Sequence, residues 1–371
     1  MILFNRQIEK DIEELLFRKK AILIFGPRQA GKTTLAKKLI TKYGEEGEYF
    51  NCEKIEVRKN FIVGDAKPLK EMFGNKKIVV LDEAQTIQNI GAILKLYLDT
   101  YNDVQIIATG SSSFDLANKI NEPLTGRSFE FTLYPLSLEE IRGGESGGRG
   151  DLLEYMKTGF YPEVVREKDS SLKLKILKNI TTNYLYKDVY IFESIRNPLI
   201  FENLIKMLAL QIGQVVSLNE LAISLGVSRL IVQKYIRLLE QSYVVKRVSC
   251  FSRNKRNELK KSFKIFFLDI GIRNAIIDSF EDVEKRNDKG SVFENFVFLE
   301  LLKNGNKETF PPQIYFWRTD TKLEIDFLLY KNEKLEAVEC KWSNEEVSFK
   351  KFLKLYPESI TRVVTVDSFC D

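Results

Sequence analysis

The chain has 371 residues, of which 44% are hydrophobic, with 57 basic against 52 acidic side chains and a formal net charge of +5. Such a length fits two or three folded domains, and so small a basic excess permits an anionic partner without demanding one. Histidine is absent, which excludes Ser-His-Asp and Cys-His catalysis and His-ligated zinc, so hydrolysis would have to run on carboxylates, Lys, Arg and magnesium.

Cys52, Cys250, Cys340 and Cys370 are scattered without a CxxC pair. Neither a zinc knuckle nor a disulfide framework is indicated, and a reducing cytoplasm fits best. The opening stretch MILFNRQIEKDIEELLFRKK is charged throughout, and no later run is apolar for long enough to span a bilayer, so no membrane partner is expected.

The first strand-like run, AILIF, is followed by GPRQAGKT and then by TLAKKLITKY, which has helical spacing. The spacing GxxxxGK[ST] lets backbone N–H groups curl around phosphate oxygens at a helix N-terminus. Gly26, Pro27, Arg28, Gln29, Ala30, Gly31, Lys32, Thr33 and Thr34 form this expected nucleotide cradle. Lys32 would reach the β- and γ-phosphates, and the Thr33 hydroxyl would help hold Mg²⁺. A second run, KIVVLDEAQ, puts Asp82 and Glu83 at the C-terminal edge of a buried strand, where open α/β sheets bind ligands. Asp82 would hold the magnesium, and Glu83 would polarise the attacking water.

The third run, VQIIATGSS, ends in Thr109, Gly110 and Ser111. Thr109 there would sense the γ-phosphate or orient water, as the first sensor does in AAA-type ATPases, or would simply end a strand in a turn. In LTGRSFEF, Arg127 would either stabilise transition-state charge beside the γ-phosphate or form a surface salt bridge. The third strand is not followed by an NKxD guanine-reading signature, so ATP is expected rather than GTP.

Taken together, GPRQAGKTTL, LDEAQ, TGSS, LTGRSFEF, YPLS and GFYP resemble the bacterial and archaeal AAA-type ATPases whose chains carry a C-terminal domain of unknown function. The resemblance covers essentially the whole chain, and GPRQxGKTTL and DExQ are narrower than generic P-loop patterns. It implies an ATPase core with Arg127 at a position that family preserves.

RGGESGGRGD, from Arg142 to Asp151, reads as a flexible loop. The segments that follow have helical periodicity and predict a lid or linker, broken at Asn197 and Pro198. SLNELAISLGVSRLIVQKYIRLLEQSYVVKRV resembles a winged helix-turn-helix. In it Leu221, Leu225, Val227, Val232, Ile236 and Leu239 pack two helices, and Gly226 allows the sharp turn. Its second helix would present Arg229, Gln233, Lys234 and Arg237 to a DNA groove. A basic run follows, with Lys246, Arg247, Arg253, Lys255, Arg256, Lys260, Lys261 and Lys264 against the single acid Glu258. It would act as a phosphate-neutralising wing or merely as a solvated face.

From Gly290 the pattern runs helix, strand, strand, strand, helix, strand, an α-β-β-β-α-β order that resembles the restriction-endonuclease-like core. Asp326 and the ExK triplet Glu339-Cys340-Lys341 match its motif, with Glu294 as an additional acid on the preceding helix and Ile325 where Pro often stands. Asp326 and Glu339 would converge on one or two magnesium ions while Lys341 positions water. A solvated hairpin is the bland alternative.

The expected fold is therefore α/β. A P-loop NTPase (AAA-like) domain over residues 1–150 is followed by a helical lid or linker over 151–200, a winged helix-turn-helix over 201–264 and a restriction-endonuclease-like domain over 265–371. The expected function is ATP- and Mg²⁺-dependent hydrolysis coupled to action on DNA. The alternative is an ATP-dependent signalling or scaffold switch that binds a protein partner through a silent nuclease-like domain. A homo-oligomer would be required if Arg127 acts across a subunit boundary.

Overall fold

The runs AILIF, IVVLD and QIIATG are buried from end to end, as central strands of a parallel sheet covered on both faces must be. In the computed structural model, which describes residues 4–101, 103–110, 124–182, 197–252, 262–306, 308, 310–319, 321 and 323–370, they become β1 (Ala21–Phe25), β3 (Ile78–Asp82) and β4 (Gln105–Gly110). Half-buried β2 (Gly47–Asn51) and β5 (Ser128–Thr132) form the two edges of a five-stranded sheet in the order β2-β3-β4-β1-β5. All its pairings are parallel.

Alternation along β1 builds two cores. Ala21, Leu23 and Phe25 join one cluster with Leu69, Phe73, Leu94 and Tyr97 from the helices Lys67–Phe73 and Ile90–Thr100. Ile22 and Ile24 face the other, with Ile8 and Ile12 of the helix Ile8–Leu15 and Leu35 and Leu39 of the helix Lys32–Thr41. This sheet and its helices are one compact unit, Leu3–Leu136 with Gln241–Tyr243.

The second unit comprises Ser137–Glu240 with Val244–Asp371. Its first helix, Leu138–Arg142, opens on a capping box between Ser137 and Glu140, which satisfies two otherwise orphaned amides. The glycine-rich stretch Arg142–Asp151 departs from the expected flexible loop. Only residues 143–148 separate this helix from the next, Arg149–Thr158. Arg142 ties the turn down by donating to the carbonyls of Gly147 (3.1 Å) and Phe369 (2.7 Å).

The GFYP motif is half of an interlock. Gly159 sits at φ +83°, and a Cβ there would fall 2.3 Å from Asp269 Oδ1; a Cβ on Gly271 would fall 2.2 Å from the Thr158 carbonyl oxygen. Asp269 accepts hydrogen bonds from Phe160 N (2.7 Å) and Ile272 N (3.0 Å), capping the helix Ile270–Ile276. Asn274 from that helix donates to the carbonyls of Met156 (3.1 Å) and Lys157 (2.9 Å) at the end of Arg149–Thr158. The helices expected to form a lid or linker are thus packed parts of the second unit.

Asn197 caps the helix Pro198–Leu210, with Pro198 at its first turn. The helices Leu218–Leu225 and Arg229–Gln241 follow, joined through Gly226 in the left-handed region at φ +64°. Behind them β6 (Val215–Val216), β7 (Val245–Ser249) and β8 (Phe263–Phe267) form an antiparallel sheet in the order β6-β8-β7. Most of the expected basic wing, residues 253–261, lies outside the described residues.

The helix Lys289–Gly305 then leads into β9 (Gln313–Arg318), β10 (Glu324–Lys331) and β11 (Lys334–Lys341), the helix Lys350–Leu355 and β12 (Ile360–Thr365). The α-β-β-β-α-β element order is the expected one. The four strands lie in the order β12-β11-β10-β9, with β11 and β12 parallel and the other pairs antiparallel. Asn332 and Glu333, both at positive φ (49° and 62°), make the tight two-residue turn that suits strand twist. The register shifts between Ile325 and Leu328, placing Asp326 in an irregularity of β10.

Candidate functional site

In the first unit, the parallel register aligns the C-terminal ends of β1, β3 and β4 and so gathers the chemistry on one edge. Gly26 leaves β1 at φ +146°, where a Cβ would lie 2.2 Å from the Leu133 carbonyl oxygen; the loop can begin there only with glycine. Gln29 (φ 60°) and Gly31 (φ 101°) complete the curl, and Gly31 caps the helix Lys32–Thr41. The first amides of that helix lack intrahelical acceptors, and with the helix dipole they favour an anion. Lys32 is buried, its Nζ donating to the carbonyls of Gly26 (2.9 Å) and Pro27 (2.7 Å). Pro27 and Ala30 are buried, whereas Arg28, Gln29 and Thr34 are exposed.

Asp82 is the hub. Its carboxylate accepts from Thr33 Oγ1 (3.0 and 2.9 Å to the two oxygens), Tyr49 Oη (2.7 Å) and Thr109 Oγ1 (2.5 Å). Thr109 is fully buried and also accepts from the Glu83 amide (3.2 Å). It therefore holds the acidic pair in place rather than merely ending a strand. Glu83, in the left-handed region at φ 54°, accepts from the Gln85 side chain. Burial, reinforced by the bond to Asp82, raises the Tyr49 phenol well above its ordinary value, and burial pushes the Cys52 thiol up to about 12. Thr33 and Asp82 present a hydroxyl and a carboxylate within hydrogen-bond reach of one another, an oxygen donor set suited to Mg²⁺.

Arg127 lies elsewhere. Its carbonyl accepts from Ala21 N (2.9 Å) at the start of β1, and Ser128 is in register with Ala21. That is the sheet edge opposite the loop, about 16 Å away at roughly 3.3 Å per residue over five strand residues. Its guanidinium is a fork on Asp99, 2.6 and 3.1 Å, so within its own chain it is the surface ion pair of the two readings. Ser111 lies outside the described residues. Two residues at the loop edge carry no sequence motif. Tyr49 supports Asp82 from β2. Arg6 donates to the carbonyls of Ala30 in the loop and Tyr134 after β5, both at 2.6 Å.

The second unit gathers Glu294, Asp326, Glu339 and Lys341. Asp326 Oδ2 accepts from Cys340 N (2.8 Å), and Lys341 Nζ lies 3.1 Å from Glu339 Oε1. Glu339 Oε2 is buried with no hydrogen-bond partner, an orphaned acceptor that a cation would satisfy. Burial raises Asp326 and Glu339, the Asp326 charge adding to the effect on Glu339. Burial opposes the charge of Lys341, but Glu339 outweighs it and raises this ammonium. Glu339 and Lys341 also line a cleft of about 260 Å³ with Glu324, Trp317 and Phe349. Asp326 and Glu339 thus fit a divalent ion as a carboxylate pair. Among the described residues, no group of three or more Cys, Asp or Glu is arranged to hold a metal. Glu294 instead bonds Lys264, which the sequence placed on a surface wing.

Comparison with known proteins identifies three matched segments. Residues 18–142 match the AAA domain, 149–282 a domain of unknown function (DUF8612) and 289–368 another (DUF4143). An uncharacterized protein of Methanocaldococcus jannaschii is 27% identical over 95% of this chain and 81% of its own length. One from Mycobacterium tuberculosis is 26% identical over 88% and 71% respectively. The Walker-type ATPase of Pyrococcus abyssi shares the fold over 74% of this chain and 96% of its own, with a TM-score of 0.52 at 16% identity. Among the described residues no helix is long and apolar enough to cross a membrane. The chain carries an AAA domain of the P-loop ATPase family, followed by two domains of unknown function, the second being DUF4143.

Proposed function

We propose that the protein binds and hydrolyses ATP with Mg²⁺ and uses the cycle to act on DNA. The observation that carries the hydrolysis reading is the Thr33–Asp82–Thr109 hydrogen-bonded cluster directly beside the Lys32 loop. In this reading the loop amides and the Lys32 ammonium bind the β- and γ-phosphates, releasing Lys32 from its carbonyl partners. Thr33 and Asp82 would hold Mg²⁺, which supplies charge neutralisation on the phosphate oxygens when bound. Glu83, fixed through its amide by Thr109 and through its carboxylate by Gln85, would orient water in line with the γ-phosphate. Arg6, bonded to the Ala30 carbonyl, would keep the loop in place.

DNA contact is assigned to the helix Arg229–Gln241, read as the recognition helix of a winged helix-turn-helix. Arg229, Lys234 and Arg237 are exposed on it, with Gln233 half-buried beside them. Asp326, Glu339 and Lys341 would form a nuclease-like site downstream. The runner-up is an ATP-dependent switch that binds a protein partner, favoured by Ile223 and Leu230, 82% and 75% exposed in the same helical pair. ATP hydrolysis measured with and without duplex and single-stranded DNA separates the two. Stimulation by DNA supports the first reading; a rate indifferent to DNA but altered by a protein partner supports the second. A Lys32→Ala variant hydrolysing ATP at the parental rate would refute the loop assignment.

A further inference from the structure

Strand β8 carries the alternation Phe263-Lys264-Ile265-Phe266, and a period of two puts Lys264 and Phe266 on the same face. Phe266 stacks on Phe298 of the helix Lys289–Gly305 (4.7 Å between centroids) and packs on Phe327 of β10 (5.3 Å). Glu294 lies one helical turn before Phe298, on the same side of that helix. The aromatic contacts therefore fix where the lysine goes. Lys264 Nζ sits 2.8 Å from Glu294 Oε1 and 2.7 Å from Glu324 Oε1, over the Phe316 ring at 5.4 Å, with 1% of its side chain exposed. Burial works against its charge, but the two carboxylates outweigh that and hold Lys264 protonated, and its charge reaches Asp326 as well. Burial also works against the charge of Glu294, with Lys264 pulling the other way. Gly213 closes the other side, since a Cβ there would lie 2.7 Å from Glu294 Oε2.

We propose that Lys264 is a resident cation of the C-terminal carboxylate cluster, occupying Glu294 and Glu324 and thereby setting how strongly Asp326 and Glu339 can take a divalent ion. The inference rests on reading that strand pair as a nuclease-like site and assigns it a residue from outside the motif. Two-ion phosphodiester chemistry places two cations about 3.5–4 Å apart. An ammonium already bonded to two of the nearby acids limits the cluster to one such ion at most. Lys264 acts on the ion through Glu294 and Glu324, so it is a positioning residue.

The test is Mn²⁺ binding to the full chain, followed by the electron spin resonance of free Mn²⁺. Lys264→Met alone leaves buried carboxylates uncompensated, so it is paired with a charge-balanced Lys264→Met/Glu324→Gln variant whose fold is checked by thermal melting. Asp326→Asn in each background assigns the ion to this site. In the double variant the net charge beside the ion is unchanged, but Glu294 is released from its ammonium partner and can turn to the ion, so the Asp326-dependent Mn²⁺ site is expected to tighten by at least about tenfold, opposite charges a few ångströms apart attracting one another strongly. Lys264→Arg keeps the parental affinity. Asp326-dependent binding that is equally tight in the parent and the double variant overturns the role of Lys264 while leaving the metal-site reading intact. A double variant that folds but binds no Mn²⁺ through Asp326 overturns both.

Discussion

Replacing Thr109 by valine keeps the volume of a fully buried side chain and removes only its hydroxyl. That hydroxyl makes two bonds: it donates to Asp82 Oδ1 at 2.5 Å and accepts from the Glu83 amide at 3.2 Å. A hydrogen bond to a charged group contributes about 1.5–3 kcal/mol and a neutral one about 0.5–1.5 kcal/mol, so Thr109→Val is expected to destabilise the first unit by about 2–4 kcal/mol. The urea midpoint should fall without a change in slope. Catalysis should suffer more selectively. Thr33 and Tyr49 still hold Asp82, so ATP binding is largely retained, whereas Glu83 loses the support of its backbone. A fall in kcat of about ten- to a hundredfold corresponds to about 1.4–2.7 kcal/mol of lost positioning. Thr109→Ser, which restores the hydroxyl, should recover most of the rate. Steady-state ATPase kinetics on all three proteins check this. A Thr109→Val protein with parental kcat and midpoint would mean that the bonds to Asp82 and Glu83 hold nothing in place.

Gly26→Ala drives a Cβ to 2.2 Å from a backbone oxygen at φ +146°, so a loss of about 3 kcal/mol or more and no detectable nucleotide binding are expected from overpacking and backbone strain. Fluorescent-nucleotide titration and thermal melting report both. Arg6→Ala removes two 2.6 Å bonds to carbonyls; with about 1 kcal/mol of loop anchoring lost, the KM for ATP should rise about fivefold with kcat little changed. In the second unit, Asp288 bonds Arg286 through both oxygens at 2.8 Å and Arg273 at 2.7 Å. Burial opposes its charge, but the two guanidinium groups outweigh it and hold the carboxyl at about 2. A carboxyl depressed in the fold stabilises above its unfolded value and loses that contribution as pH falls through its folded value. Allowing for its one-third exposure, the effect amounts to about 1–2 kcal/mol at neutral pH, fading between about pH 4 and pH 2. Asp288→Asn should cost at least this much at pH 7, with the gap to the parent narrowing over that window in urea titrations.

The three central strands of the first unit were legible because a strand buried on both faces is written as an uninterrupted apolar run, and GPRQAGKT was legible because its glycines answer a backbone requirement. The Asp326 and Glu339 positions followed from strand order and the ExK spacing. Arg127 was harder, since its place depends on the register of β5 against β1, which motif spacing does not encode. Tyr49 and Arg6 reach the site from an edge strand and from the residues before the first helix, and neither belongs to a motif. Lys264 was readable in principle. A lone lysine inside FKIFF is misplaced on a solvated wing and well placed opposite buried acids, but the surrounding basic run hid it. Gly147 looked like slack chain because glycine serves equally in a loose linker and where a neighbouring guanidinium, here that of Arg142, leaves no space for a side chain.

The interlock of Gly159 with Asp269 and Gly271 also governs when the second unit can form during synthesis. Its bonded residues Phe160 and Asp269 are 109 positions apart. At about 5–20 residues per second, the helix Arg149–Thr158 waits roughly 5–20 s on the ribosome for the segment that caps it. Until then the Phe160 amide and the Met156 and Lys157 carbonyls lack their partners Asp269 and Asn274, and the joint stays open to competing contacts on the nascent chain. A fragment ending before Asp269 would leave those groups permanently without their partners, so any dissection of the protein has to keep both halves of the joint on one polypeptide.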